Sequence, residues 1–230
     1  MQLRITPKPV RQLVEDGLRE AIVTGRFAPG EHLPDRMLCE LFGASRTVVR
    51  EAVRLLEAEG LVTVLPHRGP FVAVLPVAEA AQIYEIRGML EALAGEGFAS
   101  RASQADRDAL RAVHAEMRAA ADAAAPEDLS ALKRRFYEVL MRGCGNAYVP
   151  RMLAPLLSRI TQLRLLSMAA PGRLPAMLAE IDAIVAAVER RDAEAAALAC
   201  RAHVRQAGRI ALAALEASLR SGRTAPGTEA

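Results

Sequence analysis

The sequence predicts a mainly α-helical protein with two domains, an N-terminal winged helix-turn-helix and a C-terminal helical bundle. The chain has 230 residues, which is longer than one small module requires. Three short amphipathic segments and two β-branched segments precede Pro76, whereas long Leu- and Ala-rich amphipathic segments without a convincing strand follow it. We therefore expect domains at 7–75 and 77–220 and a flexible tail at 221–230.

The composition excludes several classes of protein. Hydrophobic residues make up 52% of the chain and charged residues 25%, without a long uncharged apolar run, so disordered, collagen-like and membrane-spanning proteins are excluded. The net charge of +3 is compatible with a polyanionic partner but does not require one. Cys39, Cys144 and Cys200 lack metal-ligand spacing, and the N-terminus lacks an apolar signal core, so we expect a cytoplasmic protein with reduced thiols.

Helical periodicity and turn residues define the first three helices. Apolar residues fall on one face over 10–24, and Gly25 is suited to end that helix. A second helix is predicted at 35–42, ending at Gly43. Ser45 is a good N-cap for a third helix, which ends near Gly60.

A β-hairpin is predicted after the third helix. Two β-branched segments, 61–65 and 71–75, flank the sequence Pro66-His67-Arg68-Gly69-Pro70. The hairpin would have an exposed basic tip and form the wing that completes a winged helix-turn-helix.

The third helix has one apolar face and one basic face. Arg46, Arg50 and Arg54 recur every four residues and therefore form one ridge, with Thr47 beside them. An α-helix fits the major groove of DNA, where arginine pairs with guanine. The alternative is a solvated face in which the arginines pair with Glu51, Glu57 or Glu59. The tight turn, the serine cap and the wing in series favour the DNA-binding interpretation.

The first domain resembles the DNA-binding domain of GntR-family bacterial transcription regulators. The matching segments are LREAIVTGRFAPGEHL, LCELFGASRTVVREAVRLLEAEGLV and PHRGPFV. The resemblance implies DNA contacts from the start of the second helix, from the third helix and from the wing tip. The corresponding residues here are Arg36, Ser45, Arg46, Thr47, Arg50, His67, Arg68 and Gly69. Arg54 would contact a phosphate at most.

Six long helices are predicted in the second domain, and together they favour a helical bundle whose interior side chains can form a binding site. Their predicted ranges are 77–100, 104–123, 127–142, 147–169, 173–190 and 192–220. The segments IRGMLEALAGEGFASRA, FYEVLMRGCGNAYV and EIDAIVAAVERRDAEAAALACRAHV resemble the effector-binding domain of the FadR-type (FCD) subfamily.

Many members of that subfamily hold a divalent metal with one Asp and three His. Here the four positions are occupied by Lys133, Tyr137, Ile181 and His203, so one ligand remains. One imidazole cannot hold such a metal, and we therefore predict no metal and no cofactor.

The resemblance also suggests where a small-molecule effector binds. Lys133 and Tyr137 lie one helical turn apart, and an ammonium in place of a metal would receive a carboxylate directly. Arg87, Arg159 and His203 are the further effector-binding candidates. The alternatives are a core histidine at position 203 and a solvent-exposed Lys133 beside Arg134 and Arg135, which would leave a largely apolar pocket for a lipid-like or aromatic effector.

The function expected from these features is a homodimeric, sequence-specific transcription regulator, a repressor, that binds double-stranded DNA at a pseudo-palindromic operator and has no membrane partner. One alternative is an enzyme tethered to DNA, although the chain lacks a carboxylate pair, P-loop, GxSxG and HExxH motif. Another is a non-specific DNA binder, which the ten basic and nine acidic residues of 1–75 argue against.

Overall fold

The computed structural model of the chain describes residues 9–122 and 126–220. They divide into two compact units: residues up to Pro76, together with 217–220, form the first, and Val77–Glu216 form the second. The predicted tail at 221–230, the start of the predicted first domain at 7–8 and position 123 of a predicted helix lie outside the described residues. Among the described helices, none combines the length and apolar character needed to cross a membrane.

Three helices and a hairpin form the first unit. Its elements are α1 (Val10–Val23), α2 (Asp35–Phe42), α3 (Arg46–Ala58), β1 (Val62–Leu65) and β2 (Gly69–Val72). Their apolar faces share one core, which includes Leu18, Leu38, Val49 and Leu56. Burial of these side chains fixes the angle between α2 and α3, so the exposed face of α3 is held on a rigid support.

The turn between α2 and α3 forms as its residues predict. Gly43 ends α2 in the left-handed conformation, with φ at 60°, which side chains with a Cβ rarely adopt. Ser45 is extended, and its side chain accepts a hydrogen bond from the backbone N–H of Val48. α3 therefore begins at Arg46.

The second strand of the wing begins earlier than predicted. β2 spans Gly69–Val72 rather than 71–75, and Leu65 pairs with Gly69, which leaves a turn of three residues. β2 also bonds to a preceding segment: the N–H of Leu33 donates to Pro70 and that of Val72 donates to Glu31. These bonds hold β2 between β1 and residues 30–33, and this pairing sets its register.

Helices make up the second unit. The long helices are α4 (Val77–Arg101), α5 (Gln104–Asp122), α6 (Pro126–Gly143), α9 (Arg173–Glu189) and α10 (Ala193–Arg220). Ser103 and Asp192 accept hydrogen bonds from backbone N–H groups at the starts of α5 and α10. Asn146 accepts one from the N–H of Tyr148 and so begins the next helix.

The helix predicted at 147–169 is broken into two. It forms α7 (Tyr148–Leu153), a 3₁₀ turn at Ala154–Leu156, and α8 (Leu157–Met168). Pro155 lies in the 3₁₀ turn, and its nitrogen cannot donate a helical hydrogen bond. The break allows α7 and α8 to contribute separate walls to the cavity described below.

Candidate nucleic-acid interface and buried polar site

Helix α3 presents polar residues to solvent on the side opposite its core face. Arg46, Thr47 and Arg50 are exposed, whereas Val49 and Val53 are buried in the first unit. The core fixes the rotation of the helix, and therefore the three polar side chains project together. Ser45 is also exposed, although its hydroxyl already caps the helix.

The predicted arginines differ in their partners. Arg50 Nε donates to Asp35 Oδ2 at 2.7 Å, and Arg36 Nε donates to Glu40 Oε1 at 2.9 Å. Within the described ranges, Arg46 makes neither a hydrogen bond nor an ion pair with another side chain. Arg46 is therefore ready to bind an external acceptor, while Asp35 orients Arg50.

The glutamates that could neutralise the ridge have other partners. Glu59 accepts two hydrogen bonds from Arg19 of α1, at 3.0 and 2.8 Å. Glu57 accepts from the backbone N–H of Val64 in the wing, and Glu51 lies 3.9 Å from Arg11. These contacts tie α3 to its neighbours and weaken the interpretation of the ridge as an internally paired surface.

The wing tip is an exposed turn with a basic side chain. His67 has a left-handed φ of 61° and Gly69 a φ of 86°. The guanidinium of Arg68 lies 5.4 Å from the centre of the Phe71 ring, and that ring stacks on His32 at 4.7 Å. The stack supports the tip from beneath, so His67 and Arg68 are held at the end of the hairpin.

The second unit contains a largely buried group of charged and polar side chains, which we call the polar cluster. Its members are Arg87, Glu91, Lys133, Tyr137, Arg164, Arg173, Glu180 and His203. Arg87 Nε donates to Glu91 Oε1 at 2.7 Å, and both side chains are almost fully buried. Burial alone would raise the pKa of Glu91, but the Arg87 guanidinium outweighs it and the pKa is lowered. This pair is ionised and nearly neutral as a unit.

Glu180 joins two further members of the cluster. Arg173 donates to both of its carboxylate oxygens, at 2.6 and 2.7 Å, and His203 Nδ1 lies 2.6 Å from Oε2. Burial opposes ionisation of Glu180, but the hydrogen bonds from His203 and Arg173 lower its pKa to about 2. Burial, reinforced by Lys133 and opposed by Glu180 and Glu91, lowers the pKa of His203 to about 4. The imidazole is therefore neutral at pH 7, and its Nδ1–H donates to the carboxylate.

Lys133 and Tyr137 point into the bundle. Lys133 is only 1% exposed, so the solvent-facing alternative for it is wrong. Burial lowers its pKa well below the ordinary value, and Arg164, Arg87 and Arg173 reinforce that shift. Burial also raises the pKa of Tyr137, which stays protonated. The Arg164 guanidinium lies over the Tyr137 ring at 4.7 Å.

Several buried polar atoms of the cluster have no hydrogen-bond partner in the described part of the chain. They are Arg87 Nη1, Glu91 Oε2, Tyr137 Oη, Arg164 Nε, Arg173 Nε and His203 Nε2. A buried unsatisfied polar group costs about 1–3 kcal/mol, so this concentration marks a place where a polar ligand would be stabilised.

Arg159, one of the expected effector-binding residues, lies apart from the polar cluster. It is buried elsewhere, its pKa is lowered by burial, and Glu79 is the charged group near it. Arg159 and Arg164 are five residues apart on α8, which places them on different faces of the helix. Arg164, which packs on the Tyr137 ring, therefore belongs to the polar cluster and Arg159 does not.

The residues of the polar cluster do not fit a divalent metal. Lys133 and Tyr137 occupy two of the four expected ligand positions, and neither side chain carries the negative charge of a carboxylate or a tyrosinate. Ile181 occupies a third position and is apolar. Among the described residues, no three His, Cys, Asp or Glu side chains are grouped as metal ligands. His203 Nε2 is the one donor that the expected set retains.

Sequence reasoning missed Glu91, Arg164, Arg173 and Glu180 in the second unit, and Asp35 and His32 in the first. Three signals were present. Glu91 follows Arg87 by one helical turn, as in helical ion pairs, and Arg164 follows Ile160 and precedes Ser167 on one helix face. Glu180 follows Arg173 by two turns on one face of α9. Asp35 and Arg50 lie fifteen residues apart on different helices, and only packing brings them together.

Comparison with known proteins identifies both units. Residues 10–72 match the model of the bacterial regulatory proteins of the gntR family, and residues 82–206 match the FCD domain. HTH-type transcriptional regulator YdhC of Bacillus subtilis is 28% identical over 198 residues, covering 86% of this chain and 88% of that protein. An HTH-type transcriptional regulator of Agrobacterium vitis, in the TAR-I ttuE-ttuC' intergenic region, is 33% identical over 159 residues, covering 60% and 91%.

A named repressor and solved structures extend this similarity. HTH-type transcriptional repressor RspR of Escherichia coli is 25% identical over 199 residues, covering 86% of this chain and 87% of that protein. E. coli McbR/YncC has a TM-score of 0.73 at 22% identity, covering 92% of this chain and 99% of that one. A GntR regulator from Rhodococcus has a TM-score of 0.72 at 19% identity, covering 88% and 97%. At these identities the structures show the shared fold.

Proposed function

The chain belongs to the gntR family of bacterial regulatory proteins, contains an FCD domain and is a transcription regulator of that family, not an enzyme; from this premise we propose that it is a repressor controlled by a small carboxylate. In this proposal the first unit binds a specific operator and the FCD domain binds the effector. The protein acts in the cytoplasm, as a homodimer, on a pseudo-palindromic DNA site.

The exposed face of α3 is the observation that carries the proposal. Arg46 is exposed and has no side-chain partner in the described ranges, while the opposite face of the helix is locked in the core. Arginine donates two parallel hydrogen bonds to O6 and N7 of guanine in the major groove. Thr47, Arg50 and the wing tip at His67, Arg68 and Gly69 would add contacts, with Arg36 and Ser45 at the helix starts.

A homodimer follows from the small reach of one recognition helix. A single helix covers only a few base pairs, whereas a two-fold dimer contacts two half-sites about 34 Å apart. The repressor RspR supports the proposed sign of regulation, since it matches this chain along most of its length.

The charge balance of the polar cluster supports a carboxylate as effector. Its four basic side chains, Arg87, Lys133, Arg164 and Arg173, outnumber its two carboxylates, Glu91 and Glu180, in the described part of the FCD domain. Burial, together with this excess of positive charge, favours loss of a proton from Lys133. A bound anion would offset the excess and satisfy the N–H donors that lack partners.

The effector would act by shifting populations between dimer geometries. A ligand that binds one geometry better favours it, and it thereby changes the spacing between the recognition helices. The coupling is reciprocal, so DNA must change effector affinity by the same factor as the effector changes DNA affinity.

The DNA-binding proposal is tested by fluorescence anisotropy titration with promoter fragments from beside the protein's own gene. Arg46→Ala and Arg50→Ala should each cost about 1–3 kcal/mol of binding to the preferred fragment and relax its sequence preference. Binding that is indifferent to sequence, or unchanged in both variants, would overturn the proposal.

Arg54→Ala is the matched control on the same helix. Arg54 is exposed and lies two turns beyond Arg46, where a phosphate contact at most is expected. Its loss should weaken binding to all fragments about equally. It should also reduce the slope of log affinity against log salt concentration by about one.

The proposed absence of a metal has a separate measurement. Elemental analysis of protein purified without a chelator should find no stoichiometric Zn, Ni or Mn. A stoichiometric metal would contradict the assignment of Lys133 and Tyr137 as non-ligands.

A further inference from the structure

A cavity of about 570 Å³ lies in the FCD domain beside the polar cluster. It is lined by residues of α4, α6, α7 and α8, and the break at Pro155 separates the last two walls. Its volume falls within the range of about 300–1,000 Å³ that is typical of small-molecule pockets.

The walls of the cavity are apolar. Met141, Pro150, Leu153, Leu157 and Ile160 line it, and the hydroxyl of Thr161 already donates to the carbonyl of Leu157 at 2.7 Å. A ligand with many hydroxyl groups would lose hydrogen bonds to water here without replacing them. An apolar ligand body would gain the free energy of leaving water.

One end of the cavity is buried and carries charge. Glu91, Tyr137 and Arg164 line this end, and all three are buried. Glu91 is neutralised by Arg87 at 2.7 Å, whereas Arg164 packs on the Tyr137 ring and its Nε lacks a partner among the described residues. The buried end therefore holds one net positive charge, from Arg87 and Arg164 against Glu91, together with an unpartnered Tyr137 hydroxyl and the unpartnered Oε2 of Glu91.

The opposite end opens to solvent. The polar lining residues there, Arg134, Glu138 and Arg142, are exposed. Leu157 also lines the cavity, and it is 55% exposed. The cavity thus has a polar mouth, apolar walls and a cationic inner end.

We propose that this cavity binds a monocarboxylate with an apolar body, with the carboxylate on Arg164 and the Tyr137 hydroxyl and the body against Met141, Leu153 and Ile160. The inference rests on the proposed function of the FCD domain as the effector site, and it adds the chemical class of the effector and a residue that recognises it. The single negative charge of the ligand matches the net positive charge at the buried end, and the apolar walls favour an apolar ligand body.

Isothermal titration calorimetry of the full chain at pH 7 with matched six-carbon compounds tests this proposal. Hexanoate should bind saturably and at least tenfold more tightly than gluconate, hexan-1-ol or adipate. Gluconate adds hydroxyl groups, hexan-1-ol removes the charge, and adipate places a second carboxylate against apolar walls. 4-Phenylbutyrate, with a larger apolar body, should bind more tightly than hexanoate.

Substitutions in the cavity separate the roles of charge and shape. Arg164→Met should weaken hexanoate binding at least tenfold and leave hexan-1-ol binding unchanged, and Arg164→Lys should restore part of the hexanoate affinity. Leu157→Glu changes an exposed side chain and does not threaten the fold, yet it should also weaken hexanoate binding. Arg190→Met, on an exposed residue after α9, should leave hexanoate binding unchanged.

Three results would overturn the inference: tighter binding of gluconate or adipate, no saturable binding of either hexanoate or 4-phenylbutyrate, or hexanoate affinity that is unaffected by Arg164→Met. The first would leave the proposed carboxylate-controlled repressor intact. Conversely, hexanoate binding that depends on Arg164, in a protein indifferent to DNA sequence, would support the inference and remove the proposed function.

Discussion

His203 shows how burial changes the chemistry of a single residue. It occupies the one retained position of a metal-ligand set, but its Nδ1 is taken by Glu180 at 2.6 Å. Burial lowers its pKa to about 4, compared with an ordinary value of 6.5. The side chain is thus both a hydrogen-bonded core histidine and a polar group with a free Nε2 in the cluster.

The stability of the helical unit should fall as the pH falls from 8 to 5. Between pH 6.5 and 4 the unfolded imidazole is protonated while the folded one is not, so protons favour unfolding, by about 2 kcal/mol at pH 5. Lys133 adds a loss in the same direction, because burial also lowers its pKa well below the ordinary value. Glu180 adds its own loss only below pH 4.5, since its pKa is lowered to about 2. The three tyrosines all lie beyond Pro76, so urea unfolding followed by tyrosine fluorescence reports on this unit alone.

His203→Asn should reduce this pH dependence and leave the part that is due to Lys133. His67→Asn is the matched control, because His67 is exposed and asparagine tolerates its left-handed φ of 61°. A slope that is the same in wild type and His203→Asn would exclude His203 as its source.

At the scale of elements, α4 and α10 approach closely at a glycine. A Cβ on Gly95 would lie 2.6 Å from Cys200 Sγ and 3.0 Å from the carbonyl oxygen of Ala196. A Cβ on Gly88, two turns earlier on the same helix, would lie 3.9 Å from Val204, in ordinary contact. The two glycines therefore have different reasons to be present.

Gly95→Ala should destabilise the helical unit by about 1–3 kcal/mol, because the helices must separate to admit the methyl group. Gly88→Ala should instead stabilise it by about 0.5–1 kcal/mol through helix propensity. Urea midpoints followed by tyrosine fluorescence compare the two variants. Equal effects of the same sign would contradict the close contact at Gly95.

The elements also show the limits of periodicity. The ranges of α1, α2 and α3 follow from apolar spacing and from Gly43 and Ser45, which are local signals. The 147–169 segment keeps its apolar pattern across Pro155, and therefore periodicity alone predicted one helix there. β2 begins two residues earlier than predicted, and it also bonds to Glu31 and Leu33, a contact distant in sequence that periodicity does not predict.

For the whole molecule, the proposed dimer makes a geometric prediction about DNA. If two recognition helices contact half-sites one turn apart, an insertion of five base pairs between the half-sites moves one of them to the opposite face of the duplex. Affinity should then drop to that of a single half-site, and an insertion of ten base pairs should restore part of it. Anisotropy titration of the three duplexes measures this, and affinity that is independent of the insertion would contradict a rigid dimer.

The sequence by itself determined the class of the molecule. The spacing of apolar residues, a left-handed glycine and a serine cap specify three short helices, and these signals act within a few residues of one another. The exposed side of α3 also follows from sequence, since a helix with one apolar face must turn its arginines outward.

Only the tertiary structure decided which charged residues meet inside the bundle. Arg164 rather than Arg159 reaches Tyr137, His203 reaches Glu180, and Lys133 is buried among them. These contacts depend on how α4, α6, α8, α9 and α10 rotate against one another as they pack. Such rotations follow from the fit of many side chains together, and the periodicity of any one helix does not specify them.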